Sequence, residues 1–132
     1  IPSSVVDLEE GWCNEIFYVN EIDVSPENKN YSSIDGQFII GKSSNEKENF
    51  DVLVFSVRNV KTVEIPDFIE IISPHAFHHC TRLQKVKISC NSKLKSIEKF
   101  AFNESSIKSI YIPPKLKKIC GNSLNELEKE LL

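Results

Sequence analysis

Residues 65–88 read IPDFIEIISPHAFHHCTRLQKVKI, with apolar side chains at regular intervals. The same apolar frame occurs without a gap in residues 1–24, which read IPSSVVDLEEGWCNEIFYVNEIDV. A third copy covers residues 94–113, and a fourth begins at Ile112 but lacks a recognisable returning strand. Self-similarity at this spacing is typical of an array of repeats, in which each unit buries the apolar side of its neighbour.

The most regular element of each unit is the pattern apolar-x-x-apolar-x-apolar, and its copies start 41, 23 and 24 residues apart. The four copies are Val19–Val24, Val60–Ile65, Leu83–Ile88 and Ile107–Ile112. Their last four residues alternate and are rich in β-branched side chains, which predicts short parallel strands with one face inside. Val60, Leu83 and Ile107 should then lie side by side. Beyond the strands, Ala76-Phe77 and Ala101-Phe102 predict one helical turn per unit, with both Phe side chains in the core.

Two segments depart from the regular repeat. Between Asn28 and Asn59, two apolar stretches flank the charged loop 42–49, which predicts a β-hairpin that projects from the array and begins at a tight Asp35-Gly36 turn. We therefore interpret residues 25–59 as a variant repeat with an inserted hairpin. At residues 121–132, the capping-box form of Ser123-x-x-Glu126 precedes a leucine-rich stretch and predicts an amphipathic capping helix. The alternative is a truncated further repeat.

Charge is segregated along the chain, although the net charge is only −3. Residues 1–60 carry 4 basic and 11 acidic side chains, residues 61–120 carry 11 and 5, and residues 121–132 carry 1 and 3. In a stack of repeats such blocks stay apart and could steer a charged partner. The longest apolar run, Val52–Phe55, is far too short to cross a bilayer.

Residues 65–88 and their counterpart Lys93–Ser105 resemble the leucine-rich repeats of BspA-like surface antigens, which occur in oral bacteria and parasitic protists. The resemblance covers residues 1–24 and 60–123 directly. It implies that residues 1–132 form one fragment of an α/β leucine-rich-repeat solenoid with short parallel strands. It also implies a cell-surface or secreted protein that binds a protein or glycan ligand, such as a host-cell or matrix protein, without a cofactor. Trp12-Cys13 departs from the family pattern, because Ala-Phe is usual there.

The outward strand positions form the predicted ligand-binding surface, since exposed sheets of repeat arrays commonly bind partners. These positions are Glu21, Asp23, Thr62, Glu64, Lys85, Lys87, Ser109 and Tyr111. An exposed tyrosine beside two lysines is a favourable contact for a partner. We therefore expect Tyr111, next to Lys85 and Lys87, to contribute most to binding.

One cluster has the residue types of a metal site, namely His75, His78, His79 and Cys80. The counterparts in the next repeat are Phe100, Asn103, Glu104 and Ser105, so the cluster is not repeated, and no second ligand pair lies nearby in the sequence. We therefore predict no metal site here and interpret Cys80 as a small core residue.

Enzymatic and nucleic-acid functions find no support in the motifs. The sequence contains no Gly-rich phosphate loop, GxSxG elbow or HExxH motif, which predicts a protein that is not an enzyme. The lysines from Lys85 to Lys118 are scattered with few aromatic residues between them, as on a solvated face, so no nucleic-acid partner is expected.

The cellular compartment stays open at this stage. Cys13, Cys80, Cys90 and Cys120 are equally compatible with two disulfides and with free thiols. The sequence also allows an intracellular interaction scaffold with the same repeat fold, because fold does not fix function. Asn30 and Asn103 begin N-glycosylation sequons, and occupied glycans there would indicate an exported protein.

Overall fold

A computed structural model describes residues 1–123 and 128–131, and these residues form ten β-strands and no helix. The strands are β1 (Tyr31–Ile34), β2 (Phe38–Gly41), β3 (Val52–Ser56), β4 (Thr62–Ile65), β5 (Ile71–Ile72), β6 (Lys85–Ile88), β7 (Ser96–Ile97), β8 (Ser109–Ile112), β9 (Lys118–Ile119) and β10 (Glu128–Leu131). A six-stranded sheet has the order β1-β2-β3-β5-β7-β9, and two further pairs are β4-β6 and β8-β10.

Successive repeats stack in register on two sides. On one side, Leu53 of β3 lies opposite Ile72, Ile72 opposite Ile97, and Ile97 opposite Ile119, all in parallel strands. On the other side, β4 and β6 pair in parallel with Thr62 opposite Lys85. Continuing this register places Val60 opposite Leu83, as predicted, although both residues precede the strands. The predicted third neighbour, Ile107, does not continue this ladder, because β8 does not pair with β6. β8 lies next to β6, and the amide of Ser106 donates to the carbonyl of Leu83 at 2.9 Å, but the two strands form no ladder.

The third side of each repeat consists of tight turns, where helical turns were predicted. The amide of Phe77 donates to the carbonyl of Ala101 at 2.7 Å, and the amide of His79 donates to the carbonyl of Asn103 at 3.0 Å. The turns of adjacent repeats are therefore hydrogen-bonded to each other. The prediction of short helical segments is wrong because His75 and His79 adopt left-handed backbone angles, with φ of 61° and 62°. A residue in this region interrupts a right-handed helix.

Aromatic stacking joins the repeats inside the main core. This core contains the inward residues of the regular repeats, among them Leu53, Ile72, Phe77, Leu83, Ile97, Phe102 and Ile110. Phe77 and Phe102 are completely buried, and their rings stack 4.8 Å apart at 8°. Phe38 meets Phe77 edge to face at 5.9 Å. The predicted role of both Phe side chains is confirmed.

The insert is part of the sheet and does not project from the array. Asp35 and Gly36 form the predicted tight turn with φ of 53° and 64°, and β1, β2 and β3 pair antiparallel. β2 and β3 are buried along their whole length, and β3 pairs with β5 of the first regular repeat. The physical reason is that both faces of these strands are apolar, so a projecting hairpin would expose one of them to water.

The N-terminal unit, residues 1–24, packs on the other face of the insert. Its turn repeats that of the regular units, since Gly11 has φ of 82° at the position of His75. The second core joins this unit to β2 and β3 and includes Leu8, Trp12, Cys13, Ile39, Val52, Val54 and Phe55. The strand predicted at Val19–Val24 is absent. Because the insert separates this unit from the regular repeats, Val19–Val24 form no ladder with β4. A single backbone hydrogen bond, from the amide of Arg58 to the carbonyl of Val19 at 2.7 Å, links this segment to the residues before β4.

The Arg58 side chain ties the N-terminal unit to the first regular repeat. Its guanidinium is only 4% exposed and donates to the carbonyls of Ile16 at 2.9 Å, Cys13 at 3.2 Å and Ala76 at 2.8 Å. It also lies 4.3 Å from the centroid of the Phe55 ring. These carbonyls and the aromatic face compensate the loss of water around the buried charge.

The C-terminal segment contradicts the predicted capping helix of residues 121–132. Residues 124–127 and 132 lie outside the described part of the chain, but Glu128–Leu131 form β10, a parallel partner of β8. An unpaired edge of β8 would leave backbone amides and carbonyls without partners, and an added strand satisfies them. This strand agrees with the alternative, a further repeat.

A buried carboxylate closes the loop between β2 and β3. Asp51 is 3% exposed and accepts hydrogen bonds from the Ser43 amide at 2.8 Å and from the Lys47 ammonium at 2.6 Å. Burial alone would raise the pKa of Asp51, but the contacts with Lys47 and Ser43 outweigh it and lower the pKa. The charged form of Asp51 therefore stabilises the folded loop.

The substitution Phe102→Ala should destabilise the protein by about 3–5 kcal/mol, because it leaves a cavity beside Phe77. Urea unfolding followed by circular dichroism measures this change. The control is Phe68→Ala, since Phe68 is 43% exposed and should contribute less than about 1 kcal/mol. Equal losses in the two variants would contradict the shared aromatic core.

The substitution Asp51→Asn should lower the free energy of unfolding at pH 7 by about 1–3 kcal/mol. Folding lowers the pKa of Asp51 below its ordinary value of 3.8, so the ionised carboxylate stabilises the fold above pH 3.8. This stability is lost as the pH falls through the pKa that Asp51 has in the folded protein. The variant should therefore lose less stability than the parent between about pH 4 and pH 2. Urea unfolding over this range tests it, with the turn variant Asp35→Asn as control. Identical acid profiles for the parent and Asp51→Asn would refute the role of this carboxylate.

Candidate functional site

The exposed face of β4 and β6 is the best-defined part of the predicted binding surface. Thr62 lies opposite Lys85 and Glu64 opposite Lys87, and all four side chains are exposed. We call these four residues the β4–β6 strip. Alternate residues of both strands are buried in the main core, so the ladder fixes the spacing of the exposed side chains. Within the described residues, neither lysine lies in a salt bridge, which leaves both ammonium groups accessible.

The other predicted surface residues are placed differently. Glu21 and Asp23 are exposed but lie in the N-terminal unit outside any strand. Ser109 and Tyr111 of β8 are half-buried, and Tyr111 packs against the main core, so it offers less surface than expected. A hollow of about 430 Å³ lies at the boundary between β6 and β8 and is lined by Gln84, Ser106, Lys108 and Ser109. The predicted continuous surface is thus interrupted at this boundary.

A second concave surface was not predicted from the sequence. A groove of about 540 Å³ lies between the N-terminal unit and the outer face of the six-stranded sheet, with Trp12 and Tyr31 among its lining residues. Glu10 and Lys99 line it as an ion pair at 2.5 Å. The hydrogen bond with Lys99 lowers the pKa of Glu10, and the same contact raises the pKa of Lys99. No sequence signal reveals this groove, since only the position of the insert brings its walls together.

The histidines of the first regular repeat form a hydrogen-bonded cluster. The Nδ1 atoms of His75 and His78 lie 2.8 Å apart, and Nε2 of His78 lies 3.2 Å from Nδ2 of Asn103. With the Asn103 amide oriented in this way, its nitrogen donates to Nε2 of His78, and this arrangement assigns the His78 proton to Nδ1. His78 therefore donates to His75 from Nδ1 and carries a lone pair on Nε2.

A carboxylate from the next repeat completes this cluster. Nδ1 of His79 contacts the Glu104 carboxylate, and the rings of His78 and His79 stack 3.8 Å apart. Phe17 packs edge-on against His79 with ring centroids 4.2 Å apart. Glu104 is one further donor beside the histidines, which sequence neighbours alone do not reveal. The counterpart of His79 in the adjacent repeat is Glu104, and stacking brings the two together.

Burial governs the titration of this region. Burial, with the neighbouring imidazoles, lowers the pKa of His78 to about 4, and burial followed by Lys99 and Arg58 lowers the pKa of His75. Burial also raises the pKa of the Cys80 thiol to about 11. Cys80 is completely buried, so the interpretation as a core residue is confirmed. All four cysteines are free thiols, and Cys90 is exposed.

The stacked units, with short parallel ladders and apolar inward residues, define a leucine-rich-repeat protein. The chain belongs to the BspA-type leucine-rich-repeat family: the description BspA type Leucine rich repeat region matches residues 48–129 in six copies. The resemblance seen in residues 65–88 is thereby confirmed. No curated protein matches the chain. Among the described residues, no helix is long and apolar enough to cross a bilayer.

Solved structures share this fold at low sequence identity. A leucine-rich repeat protein from Bacteroides capillosus ATCC 29799 is 20% identical, with a TM-score of 0.58 over 79% of this chain and 99% of that one. A leucine-rich repeat protein from Eubacterium ventriosum ATCC 27560 is 19% identical, with a TM-score of 0.72. That match covers 99% of this chain but only 35% of the Eubacterium chain. Family and fold together support a repeat-based binding module.

Proposed function

We propose that this chain is a solenoid module of a cell-surface or secreted protein and that it binds a protein or glycan ligand during adhesion, without catalysis. Membership in the BspA-type family supports a binding role. The observation that carries the proposal is the β4–β6 strip, where exposed side chains alternate with buried ones on a hydrogen-bonded ladder. Such a surface is already ordered before binding, which lowers the entropic cost of association.

Charge determines which ligands this surface favours. Lys87 lies opposite Glu64, whereas Lys85 lies opposite the neutral Thr62, so the strip carries a net positive charge. Residues 61–120 as a whole have 11 basic and 5 acidic side chains. An acidic protein surface or an anionic glycan on a host cell or in the matrix complements this charge, and the attraction raises the rate of association.

An intracellular interaction scaffold is the alternative function. It draws support from the four free thiols, because an exposed thiol such as Cys90 persists more readily in a reducing compartment. The same strip would then bind a cytosolic protein. Glycans on Asn30 or Asn103 in the native protein would favour the cell-surface role.

The double charge reversal Lys85→Glu and Lys87→Glu tests the strip. Beads coated with the variant should bind cultured epithelial cells about tenfold less than beads coated with the parent, since two attractive charges become repulsive. Bound beads are counted by microscopy after washing. Far-ultraviolet circular dichroism should be unchanged, because both side chains are exposed.

The matched control is Lys115→Glu with Lys117→Glu, which changes the net charge equally at two exposed lysines between β8 and β9. This variant should retain most of the binding. Equal losses of binding in both double variants would mean that only net charge matters and would contradict a specific role of the β4–β6 strip. Undiminished binding by the Lys85→Glu and Lys87→Glu variant would likewise show that the strip is not the binding surface.

A further inference from the structure

We propose that His78, His79 and Glu104 form a binding site for a divalent transition-metal ion, with Zn²⁺ as the best-fitting ion. One donor atom from each residue lies within 4.8 Å of the other two. Zinc binds imidazole nitrogen at about 2.0–2.1 Å and carboxylate oxygen at about 2.0–2.2 Å, so donors on one ion lie up to about 4 Å apart. The rings of His78 and His79 stack at 14°, so the His79 ring must turn before the lone pairs of both imidazoles can point at one ion, and the exposed Glu104 side chain can follow it.

The protonation of His78 suits it to metal binding. Its Nδ1 donates to His75, which leaves the lone pair of Nε2 free to replace the hydrogen bond from Asn103 with a bond to a metal. Metal-bound histidines usually donate their other ring N–H to a neighbouring acceptor, which fixes the ring orientation. Here His75 is that acceptor. The His78 ring is also buried, so it loses little rotational freedom when an ion binds.

The repeat architecture brings the donors together. His79 and Glu104 occupy equivalent positions of adjacent repeats, and both have left-handed backbone angles, with φ of 62° and 61°. The backbone amide of His79 donates to the backbone carbonyl of Asn103 at 3.0 Å, which aligns the two turns. The ligands are therefore shared between two repeats, and a bound ion would connect one repeat to the next.

Nearby charges limit the affinity of the site. Arg58 and His79 line the same hollow, so the guanidinium repels a cation at this position, and Glu104 supplies one compensating negative charge. Three protein donors leave at least one coordination position for water. We therefore expect a dissociation constant in the micromolar range for Zn²⁺ and no measurable competition by Ca²⁺, which prefers oxygen donors.

Isothermal titration calorimetry with Zn²⁺ tests the site on the full chain. All proteins carry Cys90→Ser and no polyhistidine tag, because an exposed thiol or a tag would bind zinc by itself. We expect one ion per chain, affinity at least about tenfold weaker in His79→Ala and in Glu104→Gln, and a higher melting temperature with zinc. Glu27→Gln removes an exposed carboxylate elsewhere and should bind zinc like the parent.

Folding of the variants is checked by their melting temperatures without metal. Glu104→Gln, whose side chain is exposed, should melt like the parent, whereas His79→Ala removes a ring that is only 16% exposed and packs against Phe17 and His78, so it should melt at a lower temperature. His78→Gln, which keeps a polar group in the buried position, should also lose zinc binding. Absence of zinc binding by the parent would overturn the proposal, as would affinity that His79→Ala and Glu104→Gln leave unchanged.

Discussion

Everything in this fold depends on the need of each repeat for a neighbour. A single unit of about two dozen residues cannot enclose its own apolar side, so burial comes only from contact between units. Phe77 and Phe102 show this directly, because both rings are completely buried and stack on each other across the boundary between two repeats. Backbone hydrogen bonds join the same units at the turns, as between Phe77 and Ala101. Side-chain packing and backbone pairing therefore act between the same units.

The insert preserves this arrangement at the point where the repeat is irregular. β2 and β3 are buried on both faces, so they contribute to the main core on one side and to the second core on the other. Arg58 reinforces the same junction through hydrogen bonds to carbonyls of both the N-terminal unit and the first regular repeat. An unusual segment thus takes the place of a regular repeat in the stack, and it creates the groove at its edge.

The apolar periodicity predicts much of this structure, because inward and outward positions of a short strand are a local property. The periodicity predicts that Val63, Val86 and Phe102 are buried and that Lys85 and Lys87 are exposed, and the structure agrees. The left-handed turns carry no such signal, since His79 and Glu104 are not glycines. Residues 128–131 have the composition of a helix, yet the open edge of β8 pairs with them as a strand. The contact of His79 with Glu104 was missed because its members belong to different repeats.

Amide hydrogen exchange by NMR tests most directly whether the repeats are joined on all three sides. The amides of Phe77, Glu98 and Ser106 each donate to a carbonyl of a neighbouring repeat, with acceptors Ala101, Ile72 and Leu83. We predict strong and similar protection at all three amides, with opening free energies near that of global unfolding. Rapid exchange at any of these amides, under conditions where the strands stay protected, would contradict a stack that is held together along its full perimeter.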